Sequence, residues 1–223
     1  MEKGSTLLRT VTDRKTSMAV ATLKEPLEHT LSIYDLNEFL SVISFFKDDY
    51  NIEPEGNDLI ITSSDSDISI RYIMTPPELI QTTTADSIPI DNVIVEFDLS
   101  ATLLEKLKKA AGIMALPDMR VTNIKSGDID SMSPDADKGQ IYIKVNRTGP
   151  SNSNNATVAV GKSPDLDLFF EFGLKNKLLQ MMPNDYHVTI GDMTANNQTI
   201  YVIKFEAENI VYYIALEKGA ITR

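Results

Sequence analysis

The chain has 223 residues, 42% hydrophobic and 24% charged, and its 21 Lys and Arg stand against 32 Asp and Glu for a formal net charge of −11. That length allows one large domain or two of about 100 residues, and no run approaches the roughly 18 consecutive apolar residues of a membrane span. So acidic a protein does not wrap nucleic acid with its whole surface; with no cysteine and no apolar core in the opening "MEKGSTLLRTVTDRK", the cytoplasm is the expected location.

In chain order, "TLLRTVT" and "TSMAVATL" read as two strands. "HTLSIYDLNEFLSVISFF" reads as a strand ending near Tyr34 and a helix over about 36–46. Leu36, Phe39, Leu40, Ile43 and Phe46 share one face of that helix, and Asp35 with Glu38 forms a capping box. Strands follow at 50–54, 58–63 and 67–74. Residues 75–92, "TPPELIQTTTADSIPIDN", hold three prolines and four threonines without periodicity and read as an extended connector.

The pattern restarts with "VIVEFDL" at 93–99, whose Val93, Val95, Phe97 and Leu99 alternate as in a half-buried strand. Ser100 caps a helix in which Leu103, Leu104, Leu107, Ala111 and Met114 share a face, and strands near 118–125, 139–147 and 155–161 complete the copy. A third copy opens with "LDLFFEF" at 166–172. It continues through a helix from Leu174 to Met182, stopped by Pro183, into "YHVTIG", "TIYVIKFEA" and "NIVYYIALE". Three copies of strand, helix and three strands are visible, and the first residues supply the tail of a fourth. The division is 1–74, a connector at 75–92, and 93–223.

Short helices with one apolar face cover a sheet and turn their polar faces away from it. Those polar faces carry Lys106, Lys108 and Lys109 on one helix and Lys175 and Lys177 on the other. Alone, such lysines are an ordinary solvated face, with Glu105 and Lys109 placed as an i,i+4 pair. No aromatic residue interleaves with them, which disfavours stacking on single strands and favours loose contact with duplex phosphates.

Catalytic groupings are sparse: no P-loop, no HExxH, and two histidines, His29 and His187, without a ligand pattern. Asp128, Asp130, Asp135 and Asp137 alternate but lack the glycine and closing glutamate of an EF-hand loop. "SSDSD" at 63–67 reads as a self-bonding turn. A carboxylate-based enzyme or metal-binding protein using these loops is the alternative reading.

The motif "IYDLNEFLSVIS" at 33–44, the ending "YYIALE" at 212–217 and the order of elements between them resemble the sliding clamps of T4-type bacteriophages over about residues 6–218. The resemblance implies an α+β, PCNA-like DNA-clamp fold with two similar domains per subunit, closed head to tail into a trimeric ring around duplex DNA. It implies a processivity factor, without catalysis, cofactor or metal, that tethers the DNA polymerase in an infected bacterial host. An ATP-dependent clamp loader opens it, and the T4 group also activates late transcription. The family begins with an amphipathic helix and strand before the segment matching "GSTLLRTV", so either this sequence starts late or the first domain is short of one helix. By the family's pattern the subunit interface pairs 67–73 with 155–161, through Ile68, Ile70, Val158 and Val160. Partner peptides are held near the connector and the C-terminus, bordered by Leu79, Ile80 and Ile221.

Overall fold

The computed structural model describes residues 2–222 other than 48, 65–66, 124–138, 148–153, 164, 166–167, 176–180 and 196. The chain forms two compact units, 1–86 and 87–223.

In the first unit, β1 (Leu7–Val11) and β2 (Ser17–Thr22) form an antiparallel hairpin. The Thr12 hydroxyl accepts from the Thr16 and Ser17 N–H groups in its turn. The helix α1 (Leu36–Phe45) starts where its sequence says, because the Asp35 carboxylate accepts the Glu38 N–H at 3.0 Å. It covers a meander of β3 (Tyr50–Glu55), β4 (Asp58–Ser63) and β5 (Ser69–Ile73). Gly56, at φ +64°, supplies the left-handed turn residue between β3 and β4. Ile33, Phe39, Phe46, Leu59 and Ile61 are buried together, with Ile52, Ile70 and Tyr72 packed against them. Phe39 meets Tyr72 edge to face, with ring centroids 5.2 Å apart.

Two expectations fail in this unit. The predicted strand ending at Tyr34 does not form: residues 31–33 bury Ser32 and Ile33 yet are not laddered as a strand. The predicted apolar face of α1 is only partly covered, since Leu36 and Leu40 are 41% and 52% exposed.

In the second unit, β6 (Asn92–Leu99) leads into α2 (Ala101–Met114), β7 (Asp118–Thr122), β8 (Gln140–Asn146) and β9 (Asn155–Lys162). Then come β10 (Phe169–Lys175), β11 (Tyr186–Ala195), β12 (Gln198–Glu206), β13 (Ile210–Ala215) and β14 (Lys218–Thr222). One sheet runs β13-β12-β11-β6 and the other β14-β10-β7-β8-β9. Val95, Phe97, Leu99, Val188, Ile190 and Phe205 from the first sheet are buried, as are Val121, Ile143, Val145, Phe170 and Phe172 from the second. A bulge between Ile190 and Gly191 pairs Ile190 with Val95 and Gly191 with Val93, leaving Ile94 as the extra residue. Val93, predicted inward, is accordingly 55% exposed.

The third copy is corrected in two places. Leu174 and Lys175 end strand β10 and so do not begin a helix, because Leu174 pairs with Met119 and Lys175 with Asp118 on β7. The rest of that predicted helix, 176–180, lies outside the described residues. The C-terminal residues, unassigned from sequence, form β14 against β10.

Candidate nucleic-acid interface

Helix α2 is held at both ends and at its middle. The Ser100 hydroxyl accepts the Leu103 N–H at 3.3 Å, and the Asp185 carboxylate accepts the Ala101 N–H at 2.7 Å, placing an anion at the positive end of the helix dipole. Ala115 closes the helix in the left-handed region, and Arg147 donates to its carbonyl at 3.0 Å. Leu104, Leu107 and Ala111 are buried beneath it.

That anchoring divides the three lysines. Lys106 and Lys109 are exposed on the face opposite the buried leucines. Lys108, at the border, is drawn back: its ammonium donates to the Met181 carbonyl at 2.7 Å. Among the described residues no ion pair ties Glu105 to Lys109. The face is not purely cationic, because Glu105 is exposed and Ile113 is 75% exposed at its far end.

Lys175 lies on strand β10, where it pairs with Asp118 at 2.8 Å, and that carboxylate raises its pKa through the hydrogen bond and the charge. Lys177 lies outside the described residues. Helix α1, expected to share the role, carries no lysine or arginine and presents Leu36, Leu40 and Phe45. Arg147 was not singled out from sequence. It sits just past a strand, where helical periodicity gives no signal.

The turn before β11 is fixed by aromatic side chains. Tyr186 donates to the Met182 carbonyl at 2.7 Å, and the Tyr212 hydroxyl accepts the Met182 N–H at 3.2 Å. Burial, with Tyr212 alongside, pushes the Tyr186 phenol above the ordinary range.

The residues placed at subunit edges fall into two kinds. Among the described residues β5 and β9 are terminal strands of their sheets. Ile70 packs inward on the core of its unit, and Val158 and Val160 are half-buried, while Ile68 and Ile73 are 43% and 73% exposed. Alternation turns the most apolar positions toward each unit's own core, so these edges offer chiefly backbone groups.

The connector makes one 3₁₀ turn, Pro77–Leu79, and is otherwise irregular. Leu79 is 65% exposed on it, and Ile80 turns into a groove of about 770 Å³ lined also by β1 and residues 30–34. Arg9 of β1 donates to Asp86 through its Nε at 2.6 Å, tying the end of the connector to the hairpin. Ile221 lies on β14 opposite Phe170 and is 38% exposed.

No group of three or more metal-ligating side chains occurs among the described residues. Asp128, Asp130, Asp135 and Asp137 lie outside them. His187 stands between two carboxylates of β6. Its Nδ1 lies 3.0 Å from Asp98 and its Nε2 3.4 Å from Glu96, across the β6–β11 pair. The Asp98 contact is the main cause that raises its pKa above 6.5, with Glu96 adding to it and desolvation opposing. A raised folded-state value means that the stability from this cluster is complete below pH 6.5 and is lost as pH rises through the folded pKa. An NMR titration is expected to give a midpoint above 6.5 that falls toward the ordinary value in Glu96→Gln with Asp98→Asn; an unchanged midpoint would refute the carboxylates as the cause.

No family model matches the chain. It is 23% identical over 218 residues to a sliding clamp of Vibrio phage KVP40, covering 94% of this chain and 86% of that protein. It is 26% identical over 214 residues to the sliding clamp of Escherichia phage RB69, covering 91% and 81%. Among solved structures, a Helicobacter pylori beta clamp superposes with a TM-score of 0.56 at 12% identity, over 98% of this chain and 56% of the other. The proliferating cell nuclear antigen of Entamoeba histolytica gives 0.55 at 8% identity, over 98% and 87%. The chain thus spans about half of the bacterial clamp subunit and most of the Entamoeba one. The chain is similar along nearly its whole length to phage sliding clamps, and it shares the fold of the Helicobacter beta clamp and the Entamoeba nuclear antigen.

Proposed function

We propose that this chain is the subunit of a sliding clamp that encircles duplex DNA and holds a replicative polymerase on its template. The observation that carries the reading is a match to phage sliding clamps over 94% of the chain, by a chain that folds as clamps do. Sequence-independent contact with the phosphate backbone suits the anchored, exposed pair Lys106 and Lys109: compact ammonium groups attract a duplex without reading or gripping it.

The ring is a head-to-tail trimer closed by pairing β5 of one subunit with β9 of the next, which removes two open edges at once. An ATP-dependent loader opens it, late-transcription factors are further partners, and it works in the cytoplasm of an infected bacterium. Leu79, exposed on the connector, is the first apolar contact for the partners' peptide tails.

Light scattering coupled to size exclusion is expected to give the mass of three chains at micromolar concentration. Primer extension with a T4-type polymerase and loader is expected to lengthen products when the protein is added. A monomer at every concentration defeats the trimer; product length indifferent to the protein defeats the tether.

A further inference from the structure

A sheet edge in water pairs with another chain unless something blunts it, so the edges themselves tell which strands are left to pair. In the first unit the Ser63 N–H bonds the Ile68 carbonyl at 3.1 Å and the Met74 N–H the Asn57 carbonyl at 3.0 Å, which fixes the parity of β4. Residues 57, 59, 61 and 63 turn their backbones to β5, and 58, 60 and 62 turn theirs to β3. On β3 the outward residues are therefore Tyr50, Ile52 and Pro54, and Pro54 has no N–H to offer. On β5 they are Ser69, Arg71 and Ile73, with no proline among them.

The same reasoning applies to β9, terminal among the described residues. The Asn123 N–H bonds the Phe170 carbonyl at 3.3 Å, so 119, 121 and 123 turn to β10 and 118, 120 and 122 to β8. Carried across β8, this puts Ile143 with Val158 and Val145 with Ala156 in hydrogen-bonded pairs and turns the backbones of Thr157 and Ala159 outward. The Ser163 N–H, 2.6 Å from the Gly139 carbonyl, gives the same parity from the far end of the strand. Between them a bulge leaves Val160 as the extra residue. Past it Gly161 lies opposite Ile141, and its carbonyl accepts the Gln140 amide at 2.6 Å. The bulge therefore ends the outward run at Ala159.

We propose that the bulge at Val160 sets one register for the seam between copies of this chain: Ser69, Ile70, Arg71 and Tyr72 of one copy lie opposite Ala159, Val158, Thr157 and Ala156 of the next. The clamp reading supplies the partner, a second copy; the alignment comes from the two edges. Ser69 and Arg71 then meet the outward backbones of Ala159 and Thr157. Ile70 and Tyr72, half-buried on the core of the first unit, meet Val158 and Ala156, half-buried on the face of Ile143 and Val145. A slip of one residue sets those apolar side chains against the exposed ones. A slip of two toward the bulge leaves Ser69 at Gly161, whose backbone is turned to β8. A slip of two the other way leaves the Ala159 rung unused and carries Ile73 past the start of β9.

Disulfide trapping tests it, since the chain has no cysteine and introduced pairs are its only thiols. Ser69, Ile73, Thr157 and Ala159 are all exposed, so substitution there leaves each core packed. Residues directly opposite have Cα atoms about 5.5 Å apart, within disulfide reach, whereas diagonal ones at about 7–8 Å fall outside it. With glutathione disulfide, Ser69→Cys with Ala159→Cys is expected to give a covalent species of three chains on a non-reducing denaturing gel. It should form at least roughly tenfold faster than with Ser69→Cys and Thr157→Cys, or Ile73→Cys and Thr157→Cys, which report the two slips. Faster trapping by either of those overturns the register. No trapping in a protein whose solution mass is three chains moves the seam elsewhere and also overturns it, with the clamp reading intact; a mass of one chain at every concentration defeats both. Hydrogen exchange on the natural protein decides without substitution: in the trimer the Thr157 and Ala159 amides are expected to be at least roughly tenfold better protected than the outward Ile52 amide on β3, and equal protection overturns the proposal.

Discussion

Gly191→Ala is expected to destabilise the second unit by about 3 kcal/mol, the upper end of overpacking costs. A Cβ at this position meets the Asn92 carbonyl oxygen at 2.4 Å and the Ile90 Cγ2 at 2.3 Å. The isoleucine methyl can rotate aside, but the carbonyl belongs to the backbone at the start of β6. Gly191 also sits at the bulge that sets the register of β6 on β11. Relief of the clash therefore moves the strand that delivers α2, and the thermal midpoint should fall by roughly 10 °C. Gly112→Ala is the matched comparison: it lies in α2 with nothing within 4 Å of the added atom. There helix propensity predicts a gain of about 0.5–1 kcal/mol. Calorimetry on both variants decides; equal and small effects would show that the β6–β11 contact yields without strain.

The largest functional effect is expected from Lys106→Glu with Lys109→Glu. Both side chains are exposed on a helix whose ends and middle are tied to its unit, so charge reversal leaves Leu104, Leu107 and Ala111 packed and the fold intact. In the proposed trimer it reverses six charges around the duplex. Attraction to phosphate is summed over such contacts and screened within about 8 Å at physiological salt. Product length in loader-dependent primer extension should drop about tenfold near physiological salt and further as salt rises. Lys108→Gln is expected to leave product length unchanged, because that ammonium is spent on the Met181 carbonyl. Undiminished processivity of the double variant across a salt series would make Lys106 and Lys109 an ordinary solvated face.

Most elements were legible because local pattern and local chemistry agreed. Asp35 and Ser100 begin their helices as predicted, and strands form at 50–55, 58–63, 118–122, 140–146 and 155–162, close to where they are expected. The leucine face of α2 follows from spacing alone. The misses have one origin, the identity of the neighbour. "HTLSIYD" has strand composition, yet residues 31–33 are not laddered as a strand, and the Ser32 carbonyl accepts the Thr75 N–H at 3.0 Å. "GLK" at 173–175 looked like a helix start, yet pairing with β7 extends β10 through it. Lys175 thereby moves from a helix face to a strand and a carboxylate.

By itself, then, the sequence determined the repeated strand–helix–strand plan, the starts of the two helices, the leucine face of α2 and the family likeness, since periodicity and caps depend on residues close along the chain. Tertiary structure alone decided which lysines remain exposed, where β10 ends and how the bulge turns Val93 outward. Each of those depends on backbone or charge brought from distant residues, as Met181 is brought to Lys108, Asp118 to Lys175 and Gly191 to Val93.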